Sequence, residues 1–233
     1  RCPIIMKAWK KILPAIAVLG LVLTACGQKN SDQASSSSSS EQSSKVNSSS
    51  SDKISNKLGD EKLPQNNGID ENKSVDTKVD GDKDNFTISY ISNGKTYATY
   101  TKHTYGSDSA AMQQVGYESS NNVTGLPKVD LGSNITGYSD RGAGQEYIQA
   151  NFGNWSLLTH GSNFGKTEGL ATKQGKDVVA FIQNYQLPIP NKYGSISVNI
   201  DNTATITWQN GNDVYSVKAN TVDIALKMAT SLK

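Results

Sequence analysis

Apolar and polar residues alternate with a period of two in several short stretches near the C-terminus, each bounded by turn residues. Phe86-Thr87-Ile88-Ser89-Tyr90 alternates, as a strand with one buried face must. Asn93-Gly94 follows, a pair that tolerates positive φ at both positions and so predicts a tight hairpin. Lys95 to Tyr105 forms the return strand, with Tyr97, Thr99 and Thr101 sharing a face. Ser107 to Val115 predicts a short helix. Asn121 to Gly144 is rich in Gly, Asn, Ser and Asp and predicts mostly loop. A second hairpin is expected from Tyr147–Phe152 and Trp155–Thr159, turning at Gly153-Asn154. Val178, Phe181, Ile182 and Tyr185 have helical spacing, and that helix must stop before Leu187-Pro188-Ile189-Pro190. Ile196, Val198 and Ile200 alternate, as do Ala204, Ile206 and Trp208. Turns at Asp201-Asn202 and Asn210-Gly211 make a three-stranded meander with Val214–Val217. Asn220 is placed to cap a last helix, with Asp223 at its third position and an apolar face of Val222, Ala225, Leu226 and Ala229. Two hairpins each followed by a helix form a weak internal echo.

These elements predict an α+β domain over residues 85–233: an antiparallel β-sheet of hairpins and meander with two or three packed helices. All ten Tyr, all four Phe and two of the three Trp lie after Asn85. Residues 26–84 read differently. Ser35 to Ser51 is mostly serine, and Asp52 to Asp84 is rich in Asp, Lys and Asn. No aromatic residue occurs between Lys10 and Phe86. Such composition buries too little apolar surface to offset ordering entropy, so a disordered linker is expected. About 58 residues of flexible chain would average roughly 40 Å end to end. Within it, Asp80-Gly81-Asp82-Lys83-Asp84-Asn85 places carboxylates at alternate positions, but Asn85 and Ile91 stand where a calcium loop needs Gly and Glu.

The first 25 residues carry a third pattern. Met6-Lys7-Ala8-Trp9-Lys10-Lys11 is basic, and Ile12 to Leu23 is apolar apart from Pro14 and Gly20. A run of that length is too short to span a bilayer, which needs about 20 residues. Basic start, short apolar core and small residues make a secretory signal peptide over residues 1–25, with residues 1–5 upstream of the expected start at Met6. Leu23-Thr24-Ala25-Cys26-Gly27 resembles the lipobox of bacterial lipoproteins. The resemblance implies signal-peptidase recognition through Leu23, Thr24 and Ala25, and a diacylglyceryl thioether on Cys26, the new N-terminus. Two acyl chains hold firmly where one holds marginally. The expected location is therefore the outer face of a cell membrane, with the membrane as first partner.

Charge sharpens this picture. The chain of 233 residues has 23 basic and 21 acidic side chains, net +2. Removing Arg1, Lys7, Lys10 and Lys11 with the leader leaves 19 basic against 21 acidic, so the remainder is net −2. That balance excludes a basic nucleic-acid binder. Two cysteines exclude a disulfide scaffold and a four-cysteine zinc site. Catalytic patterns are absent: no Gly-x-Ser-x-Gly, no His-Glu-x-x-His and no phosphate loop. Arg141-Gly142-Ala143-Gly144-Gln145 lacks the Lys and Ser/Thr of a nucleotide loop. His103 and His160 are the only histidines. No cofactor, metal or catalytic residue is assigned; a carboxylate pair assembled by folding is the open catalytic route. Trp155, Trp208 and Tyr215 are candidates for stacking a ligand.

The leader, lipobox and Ser-rich stretch look like surface lipoproteins of Gram-positive bacteria, the lactic acid bacteria especially. The ending from Ile206-Thr207-Trp208-Gln209-Asn210-Gly211 to Ala229-Thr230-Ser231-Leu232 is similar to the close of lipoproteins in that group, and more distantly to LolA/RseB-like domains. The latter likeness implies helices on a curved antiparallel sheet that can hold acyl chains. The leading functional expectation is a non-catalytic binding or envelope-associated module with a cell-wall, lipid or peptide ligand. The alternatives are a carrier with an apolar groove and a cell-envelope hydrolase.

Overall fold

The structure, a computed structural model, describes Ile54 and residues 57–233. The predicted leader, Leu23, Thr24, Ala25, Cys26 and the Ser-rich stretch lie outside the described residues. Among the described residues ten strands form one sheet: β1 Asp76–Gly81, β2 Asn85–Ser92, β3 Lys95–Thr104, β4 Lys128–Asp130, β5 Thr136–Gly142, β6 Gln145–Phe152, β7 Trp155–Ser162, β8 Gly194–Val198, β9 Ala204–Asn210 and β10 Asp213–Ala219. The order across the sheet is β1-β2-β3-β10-β9-β8-β7-β6-β5-β4. Helices α1 Asp108–Met112, α2 Leu170–Ile182 and α3 Val222–Ala229 accompany it. The α+β reading with an antiparallel sheet of meanders and packed helices therefore holds.

The predicted turns work as their chemistry requires. Asn93 (φ 52°) and Gly94 (φ 71°) both take positive φ and close the β2–β3 hairpin. Register then shifts between Tyr90 and Ile91, leaving Tyr97 opposite no residue of β2. This bulge turns the Tyr97 ring inward, where its hydroxyl donates to the Asn67 carbonyl at 3.0 Å. Each of the meanders β5-β6-β7 and β8-β9-β10 is followed by a helix, as the internal echo suggested. α2 lies on β6 and β7, and α3 on β9 and β10. The connection through α2 makes β7 and β8 a parallel pair, the one exception in the sheet. Parallel neighbours require such a crossover.

One phase of every central strand faces the helices. Ile88, Tyr100, Val217, Ile206, Ile196, Leu157 and Ile148 are buried there beneath Val178, Val179, Ala225, Leu226 and Met228. Burying each large aliphatic side chain contributes about 1.5–3 kcal/mol. The opposite phase is rich in Ser, Thr and Gln. The chain after β3 crosses that face and is held by those polar side chains. Ser195 donates to the Val115 carbonyl at 2.5 Å, Gln209 to Asp108 at 2.8 Å and Asn151 to Glu118 at 2.7 Å. An irregular segment laid on a sheet needs such partners for its backbone.

Four expectations are corrected. The folded domain does not begin at residue 85. Leu58 is core, β1 pairs along its whole length with β2, and Leu63 exchanges backbone bonds with Lys233 at 3.1 and 3.3 Å. The linker predicted over residues 26–84 is thus wrong for its described C-terminal part. Its polar composition misled because β1 is an edge strand, half-exposed to exposed throughout, held by backbone bonds rather than burial. The loop predicted over 121–144 contains β4 and β5, at the other edge, for the same reason. The alternating acids at 80–85 form the β1–β2 turn: Asp82 accepts from the amides of Asn85 (2.9 Å) and Asp84 (3.0 Å), which hold its carboxyl below the usual range. Finally, Thr221 caps α3 through the Ile224 amide, one position beyond Asn220.

Burial also sets an alkaline limit. Desolvation pushes the Tyr97 hydroxyl up to about 12, and pushes Tyr90 and Tyr100 higher still. In the unfolded chain these groups ionise near 10. A folded-state value above the unfolded one gives stability that is complete below about pH 10 and is lost as pH rises toward the folded value. Absorbance titration of phenolate should show this subset of tyrosines ionising only together with loss of the fold; independent titration near pH 10 would contradict their burial.

Candidate functional site

Three helix-facing aromatic side chains meet at one end of the sheet. Trp208 of β9 stands opposite Tyr215 of β10, and Tyr100 of β3 lies diagonally beyond. Their rings are nearly parallel. Centroids are 5.6 Å apart for Trp208–Tyr215 and 6.2 Å for both Tyr100–Trp208 and Tyr100–Tyr215, with planes within 15°. The register dictates this: side chains of one phase on adjacent strands stand side by side. The rings border a cleft of about 660 Å³. Its walls are the 60–62 segment, the 186–189 loop and the chain after α3, including Thr230 and Leu232.

Beside the aromatic floor lies an ion cluster. Lys102 of β3 is only 8% exposed. Its ammonium donates to Glu61 Oε1 and lies 3.3 Å from Asp213 Oδ2 and 5.6 Å from the Tyr215 ring centroid. The outer oxygens are also satisfied: Tyr215 donates to Glu61 Oε2 at 3.2 Å and Thr104 to Asp213 Oδ1 at 2.5 Å. Burial alone would lower the Lys102 pKa. The hydrogen bond to Glu61 and the nearby acidic groups outweigh it and hold the ammonium above the ordinary lysine value. Tyr100 completes the clasp by donating to the Lys62 carbonyl at 3.0 Å. These bonds lay the 60–62 segment along the cleft. Burial, with the negative charge of Glu61, pushes the Tyr215 hydroxyl up to about 12.

Folding thus does bring two carboxylates together at a cleft, the arrangement left open as a catalytic route. A glycosidase pair needs one member carrying a proton to donate. Here Glu61 accepts from the Lys102 ammonium and the Tyr215 hydroxyl, and Asp213 pairs with the same ammonium and accepts from Thr104, which is the chemistry of a clasp. The histidines stand on the opposite face: His103 packs edge-on to Tyr105 at 4.3 Å, and His160 stacks on Tyr147 at 4.4 Å. Among the described residues, no group of three or more His, Cys, Asp or Glu side chains is placed to hold a metal ion.

Of the three aromatic candidates, the fold unites Trp208 and Tyr215 and separates Trp155. Trp155 lies across the 186–189 loop, beside a second, more apolar hollow of about 490 Å³ with Phe152, Ile182 and Tyr185. A further groove of about 570 Å³ runs between α2 and α3, lined by Leu170, Phe181 and Leu226 among others. Tyr100, Lys102, Glu61 and Asp213 escaped the reading of the sequence. Lys102 left one legible sign: it shares the phase of Ala98 and Tyr100, so a charge there must be buried. No helix among the described residues is long and apolar enough to cross a membrane. Comparison with protein-family models, curated proteins and solved structures finds no match for this chain.

Proposed function

We propose that this chain is an exported lipoprotein, anchored through Cys26 to the outer face of the membrane, whose domain binds a ligand in the aromatic-floored cleft without transforming it. The observation that carries the binding part is the cleft itself. The nearly parallel rings of Tyr100, Trp208 and Tyr215 form its apolar floor, Tyr215 the most exposed of the three, while Asn210, Gln186 and Thr230 around them offer neutral hydrogen-bonding groups. Sites that fix small ligands combine apolar surface with a few convergent polar groups in this way. The anchoring part rests on Leu23-Thr24-Ala25-Cys26.

Native mass spectrometry of the chain extracted from its own membranes tests both parts. The expected mass is that of residues 26–233 plus a diacylglyceryl group, with a further ligand mass that is lost on Trp208→Leu. The variant Cys26→Ala should leave the membrane fraction. A chain cut elsewhere, or still membrane-bound without Cys26, overturns the anchor. A bare chain with no added ligand mass overturns the binding reading.

A further inference from the structure

Three charges held together out of water are a poor source of stability. A buried ion pair gains little over well-packed apolar side chains, because each partner gives up its hydration. Lys102 and Glu61 are nonetheless mostly buried beside the aromatic floor, with Asp213 next to them. The two carboxylates also meet the amine differently. Lys102 donates its hydrogen bond to Glu61 Oε1, and its nitrogen stands 3.3 Å from Asp213 Oδ2. The other Asp213 oxygen, Oδ1, accepts from the Thr104 hydroxyl at 2.5 Å. One amine therefore stands against a carboxyl group whose far oxygen is already held by a donor, and a second carboxylate touches the same amine.

Strand register makes the arrangement. Lys102 of β3 is opposite Tyr215 of β10, and Asp213 is opposite Thr104, so Lys102 and Asp213 are diagonal neighbours on one face. They sit where β3 meets β10, the pairing that joins the β1-β2-β3 hairpins to the rest of the sheet.

We propose that Lys102 and Asp213 become joined by an intramolecular isopeptide bond, with Glu61 as the proton carrier. The bond depends neither on Cys26 nor on a ligand in the cleft. One ammonium proton passes by way of Glu61 to Asp213 Oδ2, leaving a neutral amine against a neutral carboxylic acid. The strong hold of Lys102 on its proton is a hold against solvent. Here the proton stays inside the cluster and the net charge is unchanged. The Nζ lone pair adds to Asp213 Cγ, and Thr104 stabilises the negative charge that develops on Oδ1. Glu61 then moves a second proton from the nitrogen to Oδ2. The Nζ–Cγ bond has formed, the Cγ–Oδ2 bond breaks, and one water leaves, with no other reactant. Nitrogen and carboxyl group already stand near the separation, about 3–3.5 Å, from which held reactants proceed. Burial favours the product, because two charges become one neutral amide. The ion cluster is the state from which the bond closes, so the energetics of its charges are those of the open chain. Once closed, the amide ties β3 to β10 even when the chain is unfolded.

The full chain, unfolded in denaturant and weighed, tests this. Its mass should fall short of the sum of its residues by one water. Trypsin should then release a branched peptide in which residues 96–128, uncut at Lys102, are joined to residues 193–218, which contain Asp213. Asp213→Ala should have the full mass and be cut at Lys102. Glu61→Gln keeps the amine and the carboxyl group that react but loses the proton carrier, so it should stay largely unbranched. Near-ultraviolet circular dichroism of its tryptophans shows whether that variant is folded. A folded Glu61→Gln chain that branches as fully as the parent overturns the role of Glu61. If it does not fold, the parent's branched peptide still decides. A parent chain of full mass that is cut at Lys102 overturns the bond, as does a linkage to residues 58–62 through Glu61. A water loss confined to residues 79–83, where Asp80-Gly81 can cyclise on its own, overturns it equally.

Discussion

Replacing Lys102 with alanine should lower the free energy of unfolding by about 3 kcal/mol, the lower end of the range for breaking a buried ion pair from one side. The lower end applies because Asp213 remains 24% exposed and keeps some water. The loss arises less from attraction removed than from what is left behind. Glu61, 16% exposed, would face the aromatic floor without its ammonium. The contrasting variant is Lys102→Met with Glu61→Gln and Asp213→Asn. It removes all three charges while keeping the aliphatic stem, and most of the loss should return. Denaturant unfolding measures both. Amide exchange supplies the local readout: residues 60–65 should lose protection in Lys102→Ala, because Glu61, Lys62 and Leu63 are held by this cluster, by Tyr100 and by the bonds to Lys233. A neutral Lys102→Ala would mean that the cluster is a solvated surface pair.

Gly194→Ala should cost about 1–3 kcal/mol by overpacking. A Cβ at this position would stand 2.6–2.7 Å from three atoms of the Trp155 ring. The ring is rigid, and β8 cannot slide aside because it is bonded to β7 on one edge and β9 on the other. The indole must therefore move into the apolar hollow behind the 186–190 loop. In a Trp155→Leu background the same glycine substitution should cost much less, and the cycle should show a coupling above about 0.5 kcal/mol. Additive losses would mean that the ring finds another seat at no cost. The pair also shows that one face of Trp155, a candidate ligand stacker in the sequence, packs against the backbone at Gly194.

Much of the fold was legible because its strongest elements are local. Asn93-Gly94 closes a hairpin wherever it stands between alternating strands. The pattern from Ile196 to Val217 needs only neighbouring residues to fold into a meander. The edges were not legible. Asp76–Gly81 and Thr136–Gly142 bury little on either side, so no hydrophobic alternation marks them; backbone bonds to β2 and β6 make them strands. The parallel β7–β8 pair and the β3–β10 junction depend on where distant segments dock, which composition does not record.

The candidate site divides along the same line. Trp208 and Tyr215 belong to one hairpin, so their adjacency follows from the turn at Asn210-Gly211 and strand phase alone. Glu61 and Lys102 are 41 positions apart, and Asp213 is far from both. Only the docking of β10 on β3, and of the 60–62 segment across both, brings the three charges together. By itself the sequence determined the local elements and the aromatic pair, because each is written in adjacent residues. The tertiary structure decided the extent of the domain and the clasp, because those arise from burial and charge pairing between segments that meet only when the chain is folded.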